Sequence, residues 1–252
     1  MHLFIRQLIV ICLLCISSFN VLALQEMKVK FATDINYYPF EYITEDNKLQ
    51  GFDIDIAKAI CEQVNLQCTF EHRRFDDLLI MLPFKRYDAV IAALDITDQR
   101  SKVVDFSDSY YKIAPAFISR EKFDGQLSLK GKFIGVQANT SHQNYLVKAQ
   151  QSQDSYIVPY FSSKAALEDL QRQKIDAVFA DFAVIKTFLD KQKEPSQLVI
   201  SRREDVFMGQ FSAGYGIAVD KGNDILRERL NQGLKLITEN GTYEEVFKKY
   251  FH

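Results

Sequence analysis

The sequence predicts an α/β fold of two lobes, each with a mainly parallel sheet flanked by helices and joined to the other by a two-strand hinge. Strand-like and helix-like segments alternate along the chain, which favours parallel strands connected by helices. A helix, an Asp-Ala-Val strand and a following acid occur twice, around residues 87–95 and 175–181. The 252 residues are enough for two lobes of about 100 residues each.

The first lobe is predicted from the period of its apolar residues. Residues 28–33 alternate polar and apolar side chains and predict the first strand. Residues 51–64 carry apolar side chains at helical spacing with acids in the first turn, which predicts an amphipathic helix. A strand at 68–70, a helix at 76–82 and a buried strand at 89–93 follow.

The second lobe repeats this pattern, and the chain then returns to the first. We predict a strand ending at Gly135-Val136, helices at 141–148 and 163–173, a strand at 175–181, and two last helices at 224–237 and 244–250. Crossings near 112–116 and 205–213 imply a hinge. Lobe 1 is therefore predicted to contain residues 24–113 and 214–252, and lobe 2 residues 114–213.

Composition and motifs argue against several classes of function. The net charge is −2, from 31 basic and 33 acidic residues spread along the chain, so no basic stripe predicts nucleic-acid binding. The sequence has no glycine-rich phosphate loop, no Ser-His-Asp pattern and no cluster of metal ligands, and we expect no enzyme, no metal and no cofactor. Of the scattered histidines, His142 is expected on the outer face of its helix.

The N-terminus has the pattern of an export signal. Arg6 precedes an apolar run at residues 8–16 that is too short to span a bilayer. Val21 and Ala23 occupy the small-residue positions of a cleavage site, which predicts cleavage after Ala23 and a soluble periplasmic protein.

Cleavage would leave Cys61 and Cys68 as the only cysteines in an oxidising compartment. Two cysteines there usually form a disulfide. The alternative, a metal site, has only His72 nearby and falls short of the four ligands that zinc prefers. We therefore predict a disulfide between the end of a helix and the next strand.

Several motifs together resemble one protein family. They are Gly51-Phe52-Asp53-Ile54-Asp55-Ile56, Asp95-Ile96-Thr97 followed by Arg100, the Cys61/Cys68 spacing, and Gly241-Thr242-Tyr243. From about Met27 to the C-terminus the chain resembles the polar amino-acid-binding proteins of ABC transporters, solute-binding protein family 3. The branch is that for arginine, lysine, ornithine and histidine, and the likeness is greatest to arginine-binding proteins.

The resemblance implies a type II periplasmic-binding-protein fold and a receptor function. Such a protein closes on a free L-amino acid and presents it to an inner-membrane ABC permease. The implied ligand is cationic, with arginine first and lysine, ornithine and histidine as alternatives. We expect a monomer without a cofactor.

The resemblance also implies which residues hold the amino-acid backbone of the ligand. Arg100 corresponds to the arginine that binds the α-carboxylate, because a guanidinium fork offers two parallel donors. The backbone N–H groups of Thr140 and Ser141, at a helix N-terminus, would hold the same carboxylate. Asp181, with Asp95, would receive the ammonium group. From the residues alone, we would prefer to interpret Arg100 as a helix-start arginine paired with Asp98 or Asp95, and the acids are also explained as capping or turn residues.

Other positions would surround the ligand's side chain. Asp34 corresponds to the acid that meets a distal positive charge, although a turn after the first strand also explains it. The remaining positions are two aromatic walls, two small residues that admit the ligand and one neutral selectivity residue: Tyr37, Phe75, Ala92, Ala93 and Gln137. Where the family often has glycine before the anion-binding helix, this chain has Asn139, which tolerates a left-handed backbone.

Two alternatives to a receptor for cationic amino acids remain. One is an enzyme on the same fold, resembling cyclohexadienyl dehydratases that act on prephenate or arogenate. The other is a receptor for a neutral polar amino acid such as glutamine. Activity on prephenate or arogenate would distinguish the enzyme from both receptors.

Overall fold

The computed structural model describes residues 27–122, 129–150, 154–192, 197–202, 211 and 213–251. The predicted signal peptide and most of the predicted return crossing at 205–213 lie outside these residues. Within the described part of the chain, no helix is long and apolar enough to cross a membrane.

Residues 27–106 form seven strands and three α-helices. The strands are β1 (Met27–Thr33), β2 (Asn36–Tyr37), β3 (Glu41–Ile43), β4 (Leu49–Gln50), β5 (Leu66–His72), β6 (Ala89–Val90) and β7 (Val104–Phe106). The helices are α1 (Phe52–Gln63), α2 (Phe75–Met81), which continues into a 3₁₀ turn (Leu82–Phe84), and α3 (Asp98–Ser101).

The second part forms another α/β unit, and the chain then returns. Its strands are β8 (Pro115–Ser119), β9 (Phe133–Gln137), β10 (Tyr156–Tyr160), β11 (Ala177–Asp181) and β12 (Val199–Ser201). Its helices are α4 (Ser141–Gln150), α5 (Ser163–Gln171) and α6 (Phe182–Asp190). The returning segment contributes β13 (Ala218–Asp220), α7 (Asp224–Glu239) and α8 (Thr242–Tyr250).

Two five-stranded sheets follow the same plan. The first has the order β5-β1-β6-β13-β7 and the second β10-β9-β11-β8-β12. In each, the first three strands are parallel and the last two add antiparallel pairs. β13 and β8 are antiparallel because each follows a crossing between the sheets rather than a helix. We call the part built on the first sheet lobe 1 and the part built on the second lobe 2. The predicted α/β fold with two sheets flanked by helices is confirmed.

Lobe 1 is held together around α1. Gly51 precedes this helix with φ 139°, and an added Cβ would lie 1.9 Å from the Phe40 carbonyl oxygen, so only glycine fits. Ile56 and Ile60 are fully buried beneath the helix. At the end of α1, Cys61 forms a disulfide with Cys68 of β5, which confirms the predicted pairing.

The crossing between the lobes consists of paired segments. After β7 the chain reaches Tyr110 and Tyr111, whose backbones exchange hydrogen bonds of 2.9 Å with Tyr215 of the returning segment. The rings of Tyr111 and Tyr215 stack with centroids 5.4 Å apart. Ala114 then accepts a bond of 2.6 Å from the Phe182 N–H of α6, so the crossing is fixed to both lobes.

Candidate functional site

The site begins with Arg100, which the short helix α3 holds at the edge of the first sheet. Thr97 caps this helix by accepting a bond from the Arg100 N–H. The Arg100 side chain is 12% exposed, and its guanidinium donates to the Asp95 carbonyl at 3.0 Å and to the Asn139 carbonyl of lobe 2 at 3.2 Å. The guanidinium carbon, Cζ of Arg100, lies 5.7 Å from the centre of the Phe75 ring. Arg100 is therefore an interlobe residue and not a surface ion pair.

Asp95 is the acid next to this guanidinium. Its carboxylate lies 3.6 Å from the Arg100 Nη1 and accepts a hydrogen bond from the Ser141 hydroxyl of lobe 2. Only 5% of Asp95 is exposed. Burial lowers the pKa of Arg100, and the charge of Asp95 opposes that shift, so the pair keeps a buried cation in place.

The N-terminus of α4 faces Arg100 and Asp95 from lobe 2. Thr140 caps the helix, because its hydroxyl accepts from the Gln143 N–H at 3.2 Å while donating to the Gln137 carbonyl at 2.7 Å. Asn139 has φ 59°, a left-handed conformation that asparagine adopts more readily than most residues. The turn expected of a family glycine is thus made by asparagine, and Thr140 and Ser141 lie at the helix start.

Asp181, the last residue of β11, is completely buried. It caps α6 by accepting from the Ala183 N–H at 2.8 Å, and it also accepts from the Ala114 N–H at 3.2 Å and the Tyr215 hydroxyl at 3.3 Å. Burial raises its pKa to about 7, against the lowering effect of these hydrogen bonds. The capping interpretation of this acid is therefore correct. Because burial makes Asp181 costly to ionise, a cationic group placed next to it would stabilise its carboxylate form, so the capping role does not exclude a binding role.

Tyr215 is a site residue that the sequence analysis missed. Its backbone forms a bridge with Asp95, and its hydroxyl donates to Asp181. It therefore connects the acid beside Arg100 with the acid on β11. No local sequence pattern indicates Tyr215. Asp95 lies more than a hundred positions before it in the sequence, and Asp181 lies 34 positions before it.

Asp53 was also missed as a site residue, although it lies in the quoted Gly-Phe-Asp motif. Its carboxylate accepts from the Ala93 N–H at 2.6 Å and from the Tyr110 hydroxyl at 2.9 Å. Ala93 has φ 42°, so Asp53 fixes an unusual turn where β6 ends. Burial raises the pKa of Asp53 to about 7. Burial also raises the pKa of Glu41 well above its usual value, with the Asp53 charge adding to the effect.

The predicted side-chain subsite is only partly brought together. Asp34 is buried directly after β1, and burial raises its pKa. Phe75 lies against Arg100 instead of standing alone as a wall, and Tyr37 is buried, with its ring 5.6 Å from that of Phe40. Gln137 ends β9, and its carboxamide oxygen accepts from the Ser163 N–H and hydroxyl at 3.3 and 3.1 Å.

One prediction about this region is wrong. His142 does not lie on the outer face of α4: it is only 4% exposed, and its ring centroid lies 5.2 Å from Phe179 and 5.0 Å from Phe211. As the second residue of its helix it turns toward the sheet, where aromatic side chains cover it. Among the residues described, no group of acids, histidines and cysteines could hold a metal ion.

Hydrogen bonds between the lobes define the geometry of the site. They join Arg100 to Asn139, Ser141 to Asp95, the Asn139 amide to Asp76 at 2.8 Å, and the Tyr215 hydroxyl to Asp181. The arrangement places a buried guanidinium and a helix N-terminus near buried acids. Such a set is complementary to a small molecule that carries both charges.

Comparison with known proteins agrees with this geometry. Residues 29–252 match the family described as bacterial extracellular solute-binding proteins, family 3. A putative ABC transporter arginine-binding protein 2 of Escherichia coli is 37% identical over 237 residues, which are 94% of this chain and 96% of that protein.

Two solved structures share the fold over nearly their whole length. An ancestral arginine-binding protein bound to arginine has a TM-score of 0.82 and 30% identity, covering 89% of this chain and 98% of the other. A Salmonella typhimurium periplasmic binding protein described for its high arginine specificity has a TM-score of 0.81 and 34% identity, covering 90% and 100%. These findings confirm the resemblance and favour a binding protein over the dehydratase-like enzyme. The chain therefore belongs to the bacterial extracellular solute-binding proteins, family 3.

Proposed function

We propose that this protein is the periplasmic binding component of an ABC importer and that it binds a cationic L-amino acid, with arginine first. The observation that carries the proposal is the largely buried guanidinium of Arg100 facing the N-terminus of α4. Two parallel N–H donors and the backbone N–H groups of Thr140 and Ser141 suit an α-carboxylate. Relatives named as arginine-binding proteins support the choice of ligand.

The acids supply the other half of the recognition. Asp181 is completely buried, and ionising it there is costly unless a positive charge is nearby. We assign the ligand's ammonium group to Asp181 with Asp95, and its distal cation to Asp34. Lysine, ornithine and histidine carry the same charges and are the alternatives to arginine.

Binding is coupled to the arrangement of the lobes. Arg100, Asp95 and Asp34 belong to lobe 1, whereas Thr140, Ser141 and Asp181 belong to lobe 2. A ligand that contacts both sets stabilises the arrangement in which the lobes meet, and the inner-membrane permease would recognise that arrangement. We place the lobe boundaries at 113/114 and 213/214.

The remaining parts of the proposal concern the cellular context. We infer that the signal is cleaved after Ala23 and that the mature protein acts in the periplasm as a monomer, with no nucleic-acid partner. No bond in the ligand is broken.

A neutral ligand such as glutamine is the second candidate. The Gln137 oxygen is occupied by the two Ser163 donors, so its amide N–H₂ group is the part that remains to meet a ligand. A donor at this position can bond to an acceptor oxygen on the ligand's side chain, whereas the guanidinium of arginine has only donors to offer. This observation favours glutamine or citrulline at that position.

Titration calorimetry tests the proposal, since the chain has no tryptophan to report binding by fluorescence. The twenty amino acids, ornithine and citrulline would each be titrated into the mature protein. We expect arginine to bind with a dissociation constant in the range of about 1 μM. Tighter binding of glutamine and citrulline than of every cationic amino acid would overturn the cationic assignment. Failure of every amino acid to bind would overturn the receptor itself.

A further inference from the structure

A concavity separate from the site around Arg100 lies between the lobes, and its first lining residue, Ile35, follows Asp34 in the sequence. Its volume is about 430 Å³, within the range of small-molecule sites. Lobe 1 contributes the segment from the end of β1 through β3, and lobe 2 contributes α5 and α6. Apolar side chains from both lobes line much of it: Ile35, Ile43, Leu167, Val184 and Phe188.

Two lysines also line this concavity. Lys164 is the second residue of α5, and Lys191 directly follows α6. The Lys191 ammonium lies 3.1 Å from the centre of the Tyr38 ring of lobe 1, a contact typical of cation–π pairs. Burial, and then the charge of Lys164, lower the pKa of Lys191.

No acid compensates these charges within the described lining, which contains no Asp or Glu. The acids on the same helices have other partners: Asp190 pairs with Lys186 at 2.5 Å, and Glu168 lies 3.9 Å from Arg172. Asn36 and Thr187 add uncharged polar groups to the wall. The surface thus combines an apolar floor with two positive charges that lack a carboxylate partner in this lining.

We propose that this concavity binds a small organic anion with an apolar body, such as an aromatic carboxylate. The carboxylate would interact with Lys164 and Lys191, and the body would cover Leu167 and Phe188. A charge pair at this partly enclosed place is favoured because each lysine gains a partner while the apolar body leaves water.

The walls come from both lobes, so the anion and the amino acid favour the same arrangement of the lobes. Each ligand should therefore tighten the other by the same factor. This coupling rests on the proposed amino-acid receptor function, whereas binding of the anion by itself does not.

Benzoate is the probe for the site. Two compounds serve as controls: benzamide, which has the aromatic ring but no charge, and acetate, which has the carboxylate but no ring. Saturation-transfer NMR on the mature wild-type protein should show benzoate bound, and neither control at the same concentration. The double variant Lys164→Gln/Lys191→Gln should weaken benzoate at least about tenfold. Lys186→Gln, the same change on α6 outside the site, is the control and should alter benzoate affinity less than about twofold.

The proposal would be overturned by absence of benzoate binding to the wild-type protein, by equal binding of acetate, or by equal benzoate affinity in the double variant. Binding of the acidic peptide acetyl-Leu-Glu-Leu-amide without benzoate would assign the surface to a protein partner and likewise overturn it.

The coupling is measured separately, by titrating arginine with and without 20 mM benzoate at about equal ionic strength. Tighter arginine binding in benzoate, lost in the double variant, is expected. Benzoate binding with no amino-acid binding would refute the receptor function and leave the anion site standing. Normal arginine binding with no effect of benzoate would refute the coupling alone.

Discussion

Arg100 is held by backbone carbonyls of both lobes, and this determines what it can recognise. Its two Nη atoms donate to Asp95 and Asn139, so these bonds fix the plane of the guanidinium. A guanidinium has five N–H donors, and these two bonds leave others for a carboxylate. Orientation fixed in this way reduces the entropy lost on binding.

Replacing Arg100 with alanine should abolish binding of every amino acid. The change leaves a buried α-carboxylate without its partner, at a cost of roughly 2 to 5 kcal/mol. Arg100→Lys should recover only part of the loss, because an ammonium cannot make two parallel bonds. Calorimetry with arginine checks both, and Arg172→Ala, an exposed arginine of lobe 2, is the control. Unchanged affinity in Arg100→Ala would contradict the role of this residue.

Asp34 should distinguish a cationic side chain from a neutral one. In Asp34→Asn the distal positive charge loses its carboxylate, so arginine affinity should fall at least about tenfold, or about 1.4 kcal/mol. Citrulline has nearly the shape of arginine without its charge and should lose much less. Calorimetry with the two ligands gives the comparison, and Asp46→Asn, which alters an exposed acid paired with Lys48, is the control. Equal losses for arginine and citrulline would remove Asp34 from the side-chain subsite.

Single residues could be predicted only where a short motif carries them. The family pattern names Arg100 and Ser141, and the structure brings both of them to Asp95, whereas the local sequence alone favours an ion pair of Arg100 with Asp98 or Asp95. Tyr215 could not be found, because its contact with Asp181 depends on how two distant segments cross. His142 was misplaced for a related reason: one turn of helical period does not fix which face of α4 packs on the sheet.

Two left-handed turns, at Ala93 and Asn139, are the elements on which the site is built. The first ends β6 and is held by Asp53 from α1. The second begins α4, where the Asn139 N–H donates to the Gln143 side chain at 2.8 Å. Both turns follow the carboxyl ends of parallel strands, where ligand crevices are expected, and the Asn139 carbonyl accepts from Arg100 of the other lobe.

Removing Asp53 should therefore weaken both the fold and the site. Asp53→Ala leaves the buried Ala93 N–H and Tyr110 hydroxyl without an acceptor, at roughly 1 to 3 kcal/mol each. We expect a loss of at least about 2 kcal/mol in the free energy of unfolding, together with weaker arginine binding. Urea unfolding and calorimetry measure the two effects. Asp55→Ala, on the same first turn but partly exposed, is the control and should cost less and leave binding unchanged.

Elements with a clear period were predicted closely, and the exceptions have physical causes. Helix α1 begins and ends within one residue of the predicted 51–64. β6 was expected over 89–93 but pairs only over Ala89–Val90, because Asp53 draws the Ala93 N–H out of the ladder. The apolar residues that follow are buried in the turn, so hydrophobicity alone could not separate strand from turn.

At the scale of the whole molecule, two buried carboxyls and two surface carboxyls respond to pH in opposite ways. Burial raises the pKa of Asp53 and Asp181 to about 7. Hydrogen bonds from Lys221 and Lys174 lower the pKa of Asp105 and Asp169, respectively. The buried acids keep a proton that the unfolded chain releases near pH 4, so their contribution to stability falls as pH rises from about 4 to 7. The surface acids contribute stability above about pH 4 and lose it below.

Asp181→Asn tests this balance and links it to ligand binding. The variant should flatten the fall in unfolding free energy between pH 5 and 7 by roughly 1.4 kcal/mol per pH unit, because asparagine has no proton to lose. Asp105→Asn should leave the slope in that window unchanged. In the wild-type protein, arginine affinity should fall as pH drops below about 7, since protonated Asp181 cannot pair with an ammonium group. Urea unfolding and calorimetry at each pH measure both, and an Asp181→Asn slope parallel to the wild type would contradict the assignment.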